Sequence, residues 1–212
     1  MRPQKYFSVL NRVLAIRIAK LVDIATASIS GQRNDEDQRI AYVVIQLDNV
    51  WAEFARAYVQ SFVLRPFSSN GARFAIGASG VSTYDDVIRV AISVCKPVPA
   101  PSVFIRRDEP PWHDVATVLK TCTSLNCSNL SSIHASFSIG ATVFKYLHTF
   151  RNFYAHRNSE TARKAMNVAR HFTISPKLHP TKILRSHAYG RPQPLLFDWA
   201  DELRLTGEFL CS

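Results

Sequence analysis

The stretch Ile133–His156 reads IHASFSIGATVFKYLHTFRNFYAH, and it shows the strongest helical pattern in the chain. Its apolar side chains recur every three or four residues, which places them along one side of an α-helix. We therefore expect one long helix over this stretch, buried in the core of a helical protein. The apolar stripe, which begins just before the stretch, comprises Leu130, Ile133, Phe137, Gly140, Phe144, Leu147 and Tyr154, widened by Ile139, Val143, Tyr146, Phe150 and Phe153.

Arg151 falls on this apolar stripe, where the pattern favours an uncharged side chain. A conflict between residue and pattern is typical of a functional or strained site. On the polar side of the same stretch, His148, Asn152 and His156 recur at intervals of four and so share one surface, about 40° apart at each step. Arg151 and His156 are about 140° apart around the helix. They can meet only through the long arginine side chain, a helix end near His156, or a second subunit.

The run Arg151-Asn152-Phe153-Tyr154-Ala155-His156 resembles the R-x4-6-H signature of HEPN domains, including the asparagine that often follows the arginine. The resemblance implies a small helical bundle. It also implies a metal-independent endoribonuclease, in which arginine and histidine from two subunits face each other across a dimer cleft. Members of the family often act in bacterial toxin-antitoxin systems or antiphage defence. The resemblance therefore suggests a homodimer with a cognate antitoxin or defence-system partner.

The chemistry of RNA cleavage suits these side chains. RNA carries its own nucleophile, the 2′-hydroxyl, so cleavage needs a base, a cation for the developing charge and an acid, but no metal or cofactor. His156 can act as base or acid because an imidazole titrates near neutral pH. Arg151 provides a charged fork suited to phosphate. Asn152 can hold a phosphate oxygen or fix the His156 ring, so we expect Arg151, Asn152 and His156 to be catalytic.

Two alternatives remain open for the same residues. In the first, Arg151 pairs with a carboxylate such as Asp48 or Glu53, and His156 only decorates a helix end. In the second, the chain is a catalytically inactive HEPN-like module that binds RNA, a nucleotide or a partner protein.

The charge of the chain favours a polyanionic partner. Lysine and arginine outnumber aspartate and glutamate by 26 to 16, which gives a net charge of +10. Charge alone does not decide among RNA, DNA and an anionic membrane. The densest basic segment, 177–191, is predicted to be a loop that contacts RNA phosphates, with a solvated loop as the alternative. We expect RNA to be contacted by His148, Arg157, Lys182, Arg185 and Arg191.

Composition bounds the class of protein. The chain has 212 residues, 47% hydrophobic and 20% charged, so we expect a folded single domain over 1–212. Four cysteines without a C-x-x-C pair argue against a zinc site. Charged residues interrupt the apolar N-terminus, which argues against a signal peptide or membrane span and favours a cytoplasmic protein with reduced thiols.

The remaining segments predict a mostly α protein, a HEPN-like helical bundle with a small irregular or short-β insertion around 66–111. Within the insertion we expect short strands at Arg73–Ile76 and Ser102–Arg106, a helix over Thr83–Cys95, and an extended connector at Pro97, Pro99 and Pro101. The other predicted helices lie at about 5–28, 34–63, 112–122, 161–172 and 195–210.

Overall fold

A computed structural model describes residues 1–27, 33–96 and 103–212. Of the residues that the structure describes, 68% are helical and almost none is strand, which confirms the predicted mostly α class. Within the described ranges, short 3₁₀ segments at Phe62–Leu64, Arg106–Asp108 and Ala169–Phe172 accompany the α-helices. The α-helices of the described ranges are α1 (Phe7–Ala27), α2 (Arg33–Ser61), α3 (Tyr84–Cys95), α4 (Val115–Ser124), α5 (Leu130–Ser138), α6 (Val143–His156), α7 (Ser159–Val168), α8 (Pro180–Leu184) and α9 (Leu195–Cys211).

The prediction of one long helix over 133–156 is wrong, because the chain breaks between α5 and α6. Gly140 has φ +74°, a left-handed conformation that glycine adopts without the steric cost of a Cβ atom. Ile139, predicted to widen the apolar stripe, is 58% exposed at the break. The motif therefore lies on a shorter helix, α6, which ends at His156.

The predicted insertion is helical and irregular rather than partly β. Helix α3 forms as expected, and Thr83 caps it by accepting a hydrogen bond from the Asp86 N–H. The strand predicted at Arg73–Ile76 is wrong, because Arg73 and Ile76 make only isolated bridges and, among the described residues, form no ladder. Residues 103–105 are not strand, and Arg106–Asp108 is 3₁₀ helix. Ser102 and the three connector prolines lie outside the described residues.

The chain groups into two compact units, each assembled from separate stretches of sequence. The first unit comprises 1–15, 51–140 and 206–212, and the second comprises 16–50 and 141–205. An aromatic cluster forms the core of the first unit, with the rings of Phe7 and Tyr58 stacked 4.7 Å apart and Phe62 edge-on to both. Tyr58 accepts a hydrogen bond of 3.1 Å from the Asn129 amide, which satisfies its buried hydroxyl.

The second unit holds α6, and its core fixes the start of that helix. The rings of Phe150 and Trp199 meet edge-on at 5.5 Å. The Trp199 Nε1–H donates to Thr142 Oγ1 at 3.0 Å, just before α6 begins. The Glu202 carboxylate accepts from the Val143 N–H at 2.8 Å, so a negative charge meets the positive end of the α6 dipole.

Among the described residues, no helix combines the length and the apolar character needed to cross a bilayer.

Candidate functional site

The three residues predicted to be catalytic lie on the last turns of α6. Arg151 and Asn152 are half-buried, with 33% of the Arg151 side chain exposed, whereas His156 is exposed as the last residue of the helix. The Arg151 Nη1–H donates to Asn152 Oδ1 at 3.3 Å. Within the described ranges, His156 makes no hydrogen bond or ion pair with either residue. The structure therefore brings Arg151 and Asn152 together and leaves His156 apart.

Asp48 of α2 supplies the carboxylate nearest to the motif arginine. Its side chain is only 8% exposed, and its Oδ2 atom lies 3.9 Å from Arg151 Nε and 3.5 Å from His148 Nδ1. The Arg151–Asp48 contact that the first alternative names is therefore present in the structure. At 3.9 Å the two groups attract each other but are too far apart for a hydrogen bond. Of the five N–H donors on this guanidinium, only one on Nη1 has a hydrogen-bond acceptor among the residues described.

A second carboxylate of α2, Asp37, holds the end of α6. Its Oδ2 atom accepts a hydrogen bond of 2.7 Å from Arg157 Nη1, and its Oδ1 atom accepts one from the Thr181 hydroxyl. Thr181 in turn contacts the Tyr154 hydroxyl at 2.9 Å. Because Thr181 donates its one hydroxyl proton to Asp37, Tyr154 must be the donor in the Tyr154–Thr181 hydrogen bond. Sequence reasoning missed this network, in which Asp37 and Thr181 are far from the motif along the chain.

Burial and hydrogen bonding act on the ionisation of this network in opposite directions. Partial burial raises the pKa of Asp37, but the hydrogen bond from Thr181 and the hydrogen bond and charge of Arg157 outweigh it, so the pKa lies below its ordinary value. Burial raises the pKa of the Tyr154 phenol despite its hydrogen bond to Thr181. Asp37 is therefore an anion and Tyr154 a neutral donor at neutral pH.

The two carboxylates lie on one face of α2. Asp37, Ala41, Val44 and Asp48 are spaced by four, three and four residues, which is the spacing of a single helical stripe. Ala41 and Val44 between them are buried, with 7% and 0% exposure. Asp37 pairs with the residue after α6, and Asp48 pairs with its middle, so α2 and α6 run antiparallel along this face. The sequence signal for this face of α2 is the placement of Asp37 and Asp48 at the two ends of a buried apolar stripe.

The cations predicted to bind RNA each face a carboxylate of the protein. Lys182 Nζ lies 3.7 Å from Glu36 Oε2, and Arg185 forms an ion pair with the same glutamate. Arg191 Nη2 lies 3.8 Å from Glu202 Oε1. Arg157 is held by Asp37, as described above. About half of the Lys182, Arg191 and Arg157 side chains stays exposed, at 48%, 51% and 49%, so each remains accessible to a phosphate.

The segment 177–191 is not the simple loop that the sequence predicts. Pro180 occupies the first turn of α8, where its missing N–H costs nothing and its fixed φ suits a helix. His179 caps this helix by accepting from the Thr181 N–H at 3.3 Å. The loop prediction is therefore wrong over Pro180–Leu184, and the segment is anchored by its helix and ion pairs.

A pocket of about 220 Å³ lies in the second unit, next to α8. Its walls are largely apolar and include the buried side chains of Ile40, Leu184 and Leu196. Arg185 and His187 also line it, but none of Arg151, Asn152 and His156 does. The pocket is thus separate from the residues predicted to be catalytic.

No protein-family model matches the chain, and comparison with curated proteins and with solved structures likewise gives no match.

Proposed function

We propose that this protein is a HEPN-like, metal-independent endoribonuclease that acts in the cytoplasm. The observation that supports the proposal best is the state of Arg151. Its guanidinium is held loosely by a shielded carboxylate, it is one-third exposed, and it lies beside Asn152 on a strongly basic chain. A cation held in this way can bind a phosphate without a large rearrangement.

In the proposed reaction, Arg151 binds a non-bridging phosphate oxygen and stabilises the charge that develops as the 2′-oxygen attacks. Asn152 holds a second phosphate oxygen. His156 transfers a proton, as base or acid. The products are a 2′,3′-cyclic phosphate, or its hydrolysed form, and a new 5′-hydroxyl end.

The proposed active unit is a homodimer. Arg151 and His156 are about 7.5 Å apart along the helix axis and point about 140° apart around it, so one subunit does not bring them onto one phosphate. A two-fold pair of subunits repeats one surface on itself and places α6 of each subunit opposite the other. The arginine of one subunit then works with the histidine of its partner.

A second candidate function is a catalytically inactive HEPN-like module that binds RNA, a nucleotide or a partner protein. The contact between Arg151 and Asp48 favours this alternative, since an arginine can be retained at this position as the partner of a buried carboxylate. In either case the family resemblance extends the proposal to a bacterial toxin-antitoxin or antiphage role, with a cognate antitoxin or defence-system partner.

The deciding experiment is incubation of the purified protein with RNA in excess EDTA. We expect cleavage to persist in the chelator and to leave 2′,3′-cyclic phosphate ends, and we expect 2′-deoxy-substituted RNA to resist it. Loss of cleavage in EDTA contradicts the metal-independent mechanism. RNA that shifts in a gel but stays intact supports the binding module instead.

The dimer is tested by subunit mixing. Arg151→Ala and His156→Ala proteins are denatured, mixed and refolded together, and mixed dimers are expected to cleave RNA faster than either parent. Light scattering on the wild-type protein provides the direct check, because a strictly monomeric and fully active enzyme has no shared cleft.

A further inference from the structure

We infer that Tyr189 is a stacking platform for an unpaired RNA base, with Arg191 beside it to hold a neighbouring phosphate. Tyr189 is 89% exposed, more than any other large hydrophobic side chain of the described residues. The sequence assigns Arg191 to RNA binding and gives Tyr189 no role. The inference rests on the proposed RNA-directed function and deepens it, because it names single-stranded RNA as the substrate class.

A tight turn holds Tyr189 at its tip. The Arg191 N–H donates to the Ala188 carbonyl at 3.0 Å and closes the turn. Gly190 has φ +74° at the third position, where a type II turn needs a residue with positive φ. Tyr189 occupies the second position of this turn, so its exposure comes from a defined backbone geometry.

Two further hydrogen bonds attach the turn to the second unit. The Leu195 N–H donates to the Ser186 carbonyl at 3.0 Å, where α9 begins. The Tyr189 N–H itself donates to the Phe172 carbonyl at 3.3 Å, and the Phe172 ring meets the buried Trp199 edge-on at 6.0 Å. The backbone is thus fixed while the ring projects into solvent. Binding a base therefore orders little more than the two side-chain torsions of tyrosine.

The charges of the same basic segment favour a nucleic acid as the partner. The Arg191 side chain is 51% exposed, whereas that of its partner Glu202 is 15% exposed. The same arrangement holds for Lys182 and Glu36, at 48% and 9%. In both pairs the cation faces solvent and the carboxylate is shielded, so a polyanion meets positive charge first. Single-stranded nucleic acid binds to such surfaces with its bases on aromatic rings and its phosphates on cations.

Stacking on Tyr189 requires a base with an uncovered face. In an A-form duplex the adjacent base pairs cover both faces, whereas loops, bulges and single strands leave bases free to stack on a protein ring. We therefore expect this protein to prefer single-stranded RNA over a duplex of the same sequence, and we expect Tyr189 to contribute to that preference.

The first test is Tyr189→Leu, measured by the Kd for single-stranded 2′-deoxy-substituted RNA and for a duplex of the same sequence. We expect the Kd for the single strand to rise by about 5- to 150-fold, the range for one lost base stack, while the Kd for the duplex stays within about twofold. Tyr189→Trp keeps an aromatic face and should bind the single strand as tightly as wild type does. Tyr84→Leu, at the exposed tyrosine that begins α3, is the matched control and should not change either Kd. A Tyr189→Leu protein that binds the single strand within about twofold of wild type overturns the inference.

The second test uses an abasic strand of the same length, which keeps the phosphates and lacks the bases. Wild-type and Tyr189→Leu proteins should bind this strand with the same Kd, within about twofold, because the stack that Tyr189 makes is already missing. If Tyr189→Leu weakens binding to the abasic strand as much as to the normal strand, the ring does not stack on a base, and the inference is wrong.

The outcomes separate this inference from the proposed function. A wild-type protein that neither binds nor cleaves RNA overturns both. A protein that binds RNA through Tyr189 but leaves it intact overturns only the ribonuclease. A protein that cleaves RNA in EDTA, and whose Tyr189→Leu variant keeps its affinity for the single strand, overturns only the stacking platform. A Tyr189→Leu variant that keeps its RNA affinity and loses a protein partner assigns the turn to protein docking and likewise overturns the platform.

Discussion

Asp37 and Asp48 lie on the same face of α2 and pair with residues of the same helix region, but they hold those residues very differently. Asp37 accepts hydrogen bonds from Arg157 and from Thr181, and both of its oxygens are used. Asp48 is more deeply shielded, yet its two basic neighbours on α6 stand 3.5 and 3.9 Å away. The first carboxylate is saturated, whereas the second holds its partners loosely.

The two ends of this face of α2 therefore differ in role: the Asp37 end anchors the fold, and the Asp48 end lies at the candidate site. A hydrogen-bonded ion pair anchors the chain, and a ligand has to compete with it for the donors and acceptors that it uses. A loosely held guanidinium such as that of Arg151 keeps most of its hydrogen-bonding capacity for a substrate. We therefore expect changes at the Asp48 end to act mainly on cleavage and changes at the Asp37 end to act mainly on stability.

The largest effect should come from Arg151→Lys. Lysine keeps the positive charge beside Asp48, so the protein should fold, but it lacks the planar fork that binds two phosphate oxygens. We expect single-turnover cleavage to fall by about 10²- to 10³-fold. Arg163→Lys, at an exposed position on α7, is the control and should cleave normally. An Arg151→Lys protein with wild-type activity would show that Arg151 acts as a structural charge only.

The next effect should be the loss of stability in Asp37→Ala. The change removes the acceptor of Arg157 and of Thr181, and we expect the free energy of unfolding to fall by about 1 to 3 kcal/mol. Thermal melting against wild type measures it, and Asp23→Ala at an exposed position on α1 is the matched control. If both variants melt at the same temperature as wild type, the Asp37 network contributes nothing to the fold.

A smaller effect should appear in the pH dependence of stability. The pKa of Asp37 is lower in the folded than in the unfolded chain, so its contribution is complete above an unfolded pKa of about 3.9 and is lost as the pH falls through the folded pKa. Asp37→Asn should therefore flatten the loss of stability in acid. Urea titrations at a series of pH values between neutrality and strong acid measure the slope, and an unchanged acid limb would contradict the assignment.

Glu202 provides the opposite case for comparison. Burial raises its pKa, and the hydrogen bonds from Val143 and Thr142 oppose this rise without cancelling it. Since the folded pKa lies above the unfolded value of about 4.3, Glu202 favours folding most at low pH, and this contribution is lost as the pH rises through the folded pKa. Glu202→Gln should remove that decline in the same titrations. A decline that persists in the variant must come from another group.

The smallest effect should come from Lys182 and Arg185, two cations of 177–191 that share the carboxylate of Glu36. Glu36 already pairs with Lys182 and Arg185, so removing these cations together should reduce the slope of log affinity against log salt by no more than about 1.4, the value for two phosphates of single-stranded RNA. Filter binding at several salt concentrations measures the slope. An unchanged slope would show that Lys182 and Arg185 do not contact RNA phosphates and that the segment is only a solvated surface.

Sequence periodicity predicted most of the helices, because α1, α2, α3 and α9 bury one regular apolar stripe each. It failed at Gly140, since a glycine fits the middle of a stripe as well as a left-handed break, and the sequence does not distinguish the two. It also failed for the strand predicted at 73–76 and for the described part, 103–106, of the second predicted strand. Apolar and β-branched residues satisfied the local strand pattern there, but a ladder needs a partner that local pattern cannot supply.

Only part of the candidate site could be predicted from the sequence. Arg151, Asn152 and the helix end at His156 could be predicted from spacing alone. The pairing of Arg151 and His148 with one oxygen of Asp48 could not, because the carboxylate lies about a hundred residues earlier and only tertiary packing brings it near.

The residue that follows α6 carries a conformational cost. Arg157 has φ +43°, in the left-handed region where helices commonly end on glycine and where a side chain brings steric strain. A library randomised at this position and selected for thermal stability alone would weigh that strain against the contact with Asp37, and glycine or asparagine could compete with arginine. Selected for RNA binding, the same library should return arginine. Comparing the two enriched sets would show whether the chain keeps this cation for its own fold or for its ligand.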